Sequence, residues 1–371
     1  MPKFLTARRL ILPGQTIDHP RIFIEDGIVQ SIEPGEPTGD DTTLAPAFLD
    51  IHTHGAAGHD VMEATPDALA TVGQFLATRG VGRYLPTTVT APIDPTLRAL
   101  EGLADAIEST NRTGAVPIGI HLEGPFISHA KRGVHPPADI LPPSIELFDR
   151  FQQAARGHIR LMTIAPETPG AIDLITHAVA SGVRISLGHS NANTAEAKAG
   201  VAAGATSATH TFNAMRPLAH RDPGILGVAL DDDRLYAELI CDGIHVAPEL
   251  VRLWFKAKGA ERAILVTDSM SATGMPDGDY MLGGFVATVA NGRAMSNGAL
   301  AGSVLTMDRA VANLQKLTGA SLANAVQMAS SNPASMLGES NDIVGKPVSL
   351  GRFSASGELQ STLLGESTFS S

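Results

Sequence analysis

Six side chains able to bind a divalent metal stand at one kind of place in this chain, the ends of short apolar runs. Leu44 to His54 finishes in His52-Thr53-His54, Val116 to Glu123 in Glu123, Val183 to His189 in His189 and Ala263 to Asp268 in Asp268, while His210 falls near the end of Thr206 to Phe212. In an extended strand, residues i and i+2 share a face, so His52 and His54 project the same way and both imidazoles can reach one ion. Four histidines and two carboxylates suit zinc first, with iron, manganese or cobalt as alternatives. An ion held there would lower the pKa of its water from about 15.7 to about 7 and polarise a carbonyl, which makes hydrolysis of an amide or related bond the chemistry to expect. Asp268 is placed to carry a proton from that water to the departing nitrogen, a role worth about 10²–10⁴-fold. The histidines His19, His59, His129, His158, His177 and His220 read as ordinary polar residues, and His121, on the face of Glu123, as a possible support behind the ligands.

Such convergence needs strands whose ends meet at one rim. Eight short runs follow one another: Leu44 to His54, Val81 to Val89, Val116 to Glu123, His158 to Ala165, Val183 to His189, Thr206 to Phe212, Leu235 to Cys241 and Ala263 to Asp268. Helix-patterned stretches fall between them, among them Pro66 to Arg79, Pro95 to Ser109, Pro169 to Ala180, Thr194 to Ala203 and Pro248 to Lys258, several with capping residues at their starts. Eight βα units predict a closed (β/α)₈ barrel of the TIM type, whose working residues come from the C-terminal strand ends. Ahead of it, Ala7 to Leu12, Arg21 to Glu25 and Ile28 to Ile32 read as strands separated by turns. Asp279 to Asn297 reads as an inserted hairpin with Asn291-Gly292 as its turn, and the last 30 or so residues return to β-like runs. The expected architecture is therefore a barrel over residues 44–336 and a small β-sandwich domain made from residues 1–43 and 337–371.

Composition narrows the partners. The chain has 371 residues, enough for a substantial core, and 27 Lys+Arg against 38 Asp+Glu give a net charge of −11. That charge opposes attraction to nucleic acid or an anionic membrane, so an anionic ligand needs a local cationic pocket. Aromatic residues make up 4 %, too few for a stacking platform. Cys241 is the single cysteine, which excludes an intrachain disulfide and favours a reducing compartment. No apolar run approaches a membrane span and the start from Met1 to Gly14 lacks a signal-peptide core, so a cytoplasmic protein is expected.

The candidate ligands sit in longer phrases: PAFLDIHTHGAAGHD (46–60), HLEGPFI (121–127), GHSNA (188–192), THTFNAM (209–215), CDGIHV (241–246), LVTDSM (265–270) and LAGSVLTMDRAV (300–311). In this order along the barrel, the chain resembles the N-acetylglucosamine-6-phosphate deacetylases, a family of the amidohydrolase superfamily. The resemblance implies removal of the N-acetyl group of N-acetylglucosamine 6-phosphate, giving glucosamine 6-phosphate and acetate, by a homodimer. It implies that Glu123, His189 and His210 are the principal metal ligands and Asp268 the catalytic aspartate. Some members replace the first-strand histidines and bind one ion; here His52 and His54 are both kept, so one or two ions per subunit are open, with Glu123 as the bridge if there are two. His135, within KRGVHPP, matches the histidine that helps polarise the acetyl carbonyl. Asn213, Ala214, Arg221 and His245 match positions that hold the sugar phosphate, Arg221 reaching the neighbouring subunit's site. The tail departs from the family's Gly-x-x-Ala-Asp-Leu phrase, reading Gly345-Lys346-Pro347-Val348-Ser349-Leu350.

The same rim serves other reactions, so deacetylation of N-acetylgalactosamine 6-phosphate, deamination of a base and opening of a cyclic amide stand as alternatives. A barrel reduced to a binding or assembly role would tolerate loss of ligands, and this sequence has lost none.

Overall fold

The computed structural model describes residues 3–110 and 113–371, so Met1 and Pro2 of the opening segment lie outside it. Eight parallel strands form the barrel: Phe48–Thr53, Val81–Thr88, Ile120–Glu123, Ile159–Ile164, Arg184–Leu187, Ser207–Ala208, Tyr236–Ile240 and Ala263–Val266. Each is hydrogen-bonded to the next in sequence order. The eighth meets the first at the rim, where the Asp268 N–H donates to the His52 carbonyl (2.8 Å) and the His54 N–H to the Ser269 carbonyl (2.7 Å). Lower down, Thr267 donates its hydroxyl to the buried Asp50 carboxylate at 2.5 Å. Ring closure thus runs through the residues beside the candidate ligands.

The strands are continuous apolar runs because both faces are covered, the outer by helices and the inner by the strands opposite. Every residue of Phe48–Thr53 is buried. The surrounding helices start where short polar side chains accept from the first free N–H groups. Thr65 accepts from Ala68 ahead of Pro66–Thr78, and Asn193 with Glu196 forms a capping box on Thr194–Ala202. Their apolar faces join the strands in one core around Phe48, Tyr84, Phe126, Phe151 and Trp254. Among the described residues, no helix is long and apolar enough to cross a membrane.

The two ends of the chain share a six-stranded sheet in the order Ser367–Ser370, Leu359–Leu364, Ser349–Phe353, Thr43–Pro46, Arg9–Leu12, Gln15–Asp18. A three-stranded sheet of Lys3–Thr6, Pro20–Glu25 and Ile28–Pro34 faces it across Leu10, Ile22, Val29, Leu44, Val348 and Leu350. The divergent tail therefore supplies a central strand, Ser349–Phe353, paired antiparallel with Thr43–Pro46. The expected hairpin at 279–297 is larger than the sequence suggests. It is a four-stranded meander, Gly278–Leu282, Phe285–Ala290, Arg293–Ser296 and Ala299–Leu300, because Gly283-Gly284 and Asn297-Gly298 make two further tight turns beside Asn291-Gly292. Its inner face packs on Val89, Met270 and Ala272 next to the rim.

The start of the eighth strand is held by Asn332, which stands just after the π-helical segment Gln327–Ser331 and whose buried amide donates to the carbonyls of Ala260 and Ala263, both at 2.7 Å. This one amide ties the start of the eighth strand, at Ala263, to the helical segment that follows the meander. Asn332→Ala is expected to cost about 1–3 kcal/mol of stability, read as a lower urea midpoint with an unchanged denaturant slope.

Candidate metal centre at the barrel rim

Glu123, at the end of the third strand, is 2 % exposed and touches imidazoles on every side. Its Oε1 lies 3.2 Å from His210 Nε2, 3.3 Å from His189 Nε2 and 3.4 Å from His52 Nε2. Its Oε2 lies 3.2 Å from His54 Nε2 and 3.8 Å from His135 Nε2. Opposite, Asp268 Oδ1 is 3.1 Å from His54 Nε2 and 3.6 Å from His52 Nε2. The buried donors form two clusters, Glu123 with His189 and His210, and His52 with His54 and Asp268, and Glu123 spans the gap between them.

Local backbone geometry brings these ends together. His189, His210 and Asp268 all adopt positive φ, 45°, 27° and 49°, two residues after their strands stop. A left-handed non-glycine residue costs about 1–3 kcal/mol and persists where its surroundings over-determine it. Asp268 is so determined, since its own N–H binds His52 and its carbonyl accepts from Ser303 at 2.6 Å. This turn also explains why the sixth strand ends at Ala208 rather than running on to Phe212, since the chain leaves the ladder to present His210. Glycine follows Glu123 for a steric reason: a Cβ at Gly124 would stand 2.0 Å from Thr90 Oγ1, which holds His135.

The electrostatics demand a cation at the centre. Nδ1 of His54 points at the Thr87 carbonyl and Nδ1 of His189 at the Lys131 carbonyl, both at 2.9 Å, so each donates there and turns its Nε2 inward. His189 Nε2 then meets His210 Nε2 at 3.1 Å, two nitrogens that cannot both keep a proton between them. Buried His52 has both ring nitrogens, and His210 its Nδ1, without a hydrogen-bond partner among the described residues. In the metal-free chain protons fill part of this need. Burial alone would push His54 down, but Asp268 and Glu123 lift it to about 9, and His52 is likewise raised by Glu123 and Asp268 against its burial. Burial also works against ionised Asp268, yet His52 and His54 hold it well below the usual carboxylate range. Inward-facing imidazole nitrogens and two buried carboxylates are the donor set of a divalent metal site.

Among the other residues expected at the site, His135 joins it. The Thr90 N–H points at His135 Nδ1 (3.4 Å), making that nitrogen an acceptor and leaving Nε2–H toward Glu123. Burial, then the neighbouring His189, drop its pKa to about 3, so it is neutral. His245 is clamped through Nδ1 by Asp242 at 2.6 Å, which raises it despite burial. Asn213 reaches back to the His210 carbonyl (3.3 Å), and the Ala214 carbonyl accepts from Ser190 (3.0 Å), tying the loop after the sixth strand to the one after the fifth. Arg221 is exposed and makes no ion pair among the described residues, so its own chain does not bring it to the cluster. The neighbouring Arg216 pairs with Asp222. His121 lies below the rim, its ring 4.6 Å from that of His52 and its Nε2 on Thr163 (2.8 Å). Sequence reasoning missed Thr90, Asp242, Glu167 and Glu238. Glu167 receives Ser190 Oγ (2.7 Å) and the Asn191 N–H (2.6 Å), pinning the loop that follows His189. Glu238 carried a signal, being the only charged residue in the apolar run Tyr236–Ile240.

Comparison with known proteins agrees with this geometry. Residues 43–343 match the amidohydrolase family model. The chain is 40 % identical to an N-acetylgalactosamine-6-phosphate deacetylase of Escherichia coli O157:H7, over 91 % of this chain and 90 % of that one. It is 37 % identical to the N-acetylglucosamine-6-phosphate deacetylase of Bacillus subtilis, over 89 % and 86 %. A solved N-acetylglucosamine-6-phosphate deacetylase from Mycobacterium smegmatis, a mutant in complex with N-acetylglucosamine 6-phosphate, superimposes over 100 % of both chains with a TM-score of 0.93 at 32 % identity. With the barrel, the rim donors and the extent of these matches in agreement, the chain belongs to the amidohydrolase family.

Proposed function

We propose that the protein is a divalent-metal-dependent hydrolase that removes the N-acetyl group of N-acetylglucosamine 6-phosphate, yielding glucosamine 6-phosphate and acetate. The observation that carries this reading is the arrangement at the rim: Glu123 flanked by His189 and His210, with Asp268 opposite and His135 beside it. The similarity to deacetylases that act on phosphorylated amino sugars supports the substrate class. Deaminase and cyclic-amide readings have no such support.

Glu123, His189 and His210 would hold the principal ion, and His52, His54 and Glu123 a second, with zinc the first choice. When bound there, a divalent ion lowers the pKa of water and polarises a carbonyl. Asp268 accepts the proton of the attacking water and returns it to the leaving amine. His135, neutral and protonated on Nε2, donates to the acetyl oxygen as negative charge builds on it. Asn213, Ala214 and the Asp242-clamped His245 hold the sugar. The reading further includes a cytoplasmic homodimer in which Arg221 grips the phosphate in the neighbouring site; its exposure and its lack of an ion pair among the described residues support that role.

Exhaustive chelation should abolish acetate release, and zinc should restore it; full activity in metal-free protein would refute the mechanism. Acidification should weaken metal binding at the His52/His54 position, because below about pH 9 the ion must displace the His54 proton. Because His52 is raised as well, the expected slope lies between about tenfold and about a hundredfold per pH unit, for one to two protons displaced, measured by zinc competition from pH 6 to 10.

Asp268→Asn should retain metal and lose about 10²–10⁴-fold in kcat with little change in KM, in an acetate-release assay. Arg221→Ala should lower kcat/KM by roughly 10- to 150-fold for the 6-phosphate and leave the unphosphorylated sugar nearly unchanged. Mixed dimers of these two variants should regain phosphate-dependent activity at one site each, since the subunit with intact Asp268 then receives Arg221 from its neighbour. Running the same assay on the galactosamine epimer tests the gluco assignment.

A further inference from the structure

Below the rim the barrel interior holds a buried polar belt that the reaction above leaves unused. Glu238, in the seventh strand, is fully buried. Ser186 and Ser207 donate their hydroxyls to its Oε1 at 3.1 and 2.9 Å. Its Oε2 faces the His210 N–H at 3.4 Å and His52 Nδ1 at 3.6 Å. The hydroxyls continue around the barrel: Thr209 donates to Ser186 at 2.7 Å, Thr163 lies 2.8 Å from Thr209, and His121 Nε2 lies 2.8 Å from Thr163. A buried carboxylate is costly unless its oxygens are occupied, and here one oxygen is fully engaged while the other is turned to the back of a metal ligand.

His52 is the ligand that needs such a partner. Backbone carbonyls already orient His54 and His189 through Nδ1. His52 has none; its Nε2 looks toward Glu123 and Asp268, and its Nδ1 toward Glu238. Metal-binding imidazoles depend on an acceptor at the far nitrogen, which fixes the tautomer and makes the near nitrogen a stronger donor.

We propose that Glu238 is the positioning residue of the first-strand metal position: its Oε2 takes the Nδ1–H of His52 and leaves the Nε2 lone pair directed at the space shared with His54, Glu123 and Asp268. A ring shift of about 0.6 Å brings the contact to hydrogen-bond length. Because Oε2 also faces the His210 N–H, the same carboxylate links the two ligand clusters from beneath. The inference rests on the metal reading above.

The test compares wild type and Glu238→Gln, stripped and reloaded with zinc, by metal content and chelator competition. Wild type should take two zinc ions per chain; Glu238→Gln should keep the tighter one at unchanged affinity and bind the weaker about 10–100-fold less well, with Glu238→Asp intermediate. Equal affinities in wild type and Glu238→Gln, or a parallel loss at both positions, would overturn the proposal, as would a wild type that saturates at one zinc. A wild type that binds no zinc would instead remove the metal reading itself. Should Glu238→Gln fail to fold, ¹⁵N-histidine spectra of zinc-loaded wild type decide alone, with the His52 signal identified by its loss in His52→Asn. Protonated Nδ1 with an unprotonated Nε2 supports the proposal, and the opposite tautomer overturns it.

Discussion

The negative charge of Glu123 is the point on which the rest of this molecule is hung. One buried carboxylate lies within 3.4 Å of four imidazoles drawn from the first, fifth and sixth strands. A carboxylate in that setting is tenable only if a cation shares the space, because the desolvation cost of an isolated buried charge is far larger than the stability margin of a domain. Its pKa is held well below the ordinary range in spite of burial, chiefly by His52, followed by His189 and His210. The metal-free chain meets the requirement with imidazolium protons. A divalent ion meets it with the same donors, so the site is built to exchange protons for metal.

That requirement explains the backbone at the rim. Strands alone would leave the ligands pointing alternately into the barrel and into the helices. The left-handed residues His189, His210 and Asp268 break the alternation just past their strands, and the hydrogen bond that holds Asp268, from its N–H to the His52 carbonyl, also closes the barrel. Strain at the site and integrity of the fold are therefore coupled. Loosening the contact between the first and eighth strands would release Asp268 and His54 together.

The surroundings divide the labour. His135 is kept uncharged by burial and by the neighbouring His189, while Thr90 fixes the direction of its ring. Farther out stand further charged groups, His245 clamped on Asp242 and Arg221 in an exposed loop. Beneath them the belt from His121 to Glu238 supplies hydrogen bonds in place of water. It makes the barrel interior a polar foundation for the ligands rather than a uniformly apolar core.

The sequence by itself determined the repeat and the donors. Eight apolar runs between capped helical stretches point to a parallel barrel, because eight βα units bury both faces of every strand when the sheet closes on itself. Donor residues at the ends of five of the eight runs are legible as residue types, and period-two geometry puts His52 and His54 on one face. The meander exceeds a single hairpin because Gly283-Gly284 also turns the chain between paired strands and because its fourth strand, Ala299–Leu300, is too short to show a periodic pattern. Tertiary structure alone decided the rest. Glu238 meets His52, Thr90 meets His135 and Glu167 meets Ser190 across strand order and loop closure, and no local pattern encodes contacts between residues 186 apart or 45 apart. Which carboxylate oxygen faces which imidazole depends on barrel stagger and on three positive φ angles, quantities fixed only when all eight strands close around one shared charge.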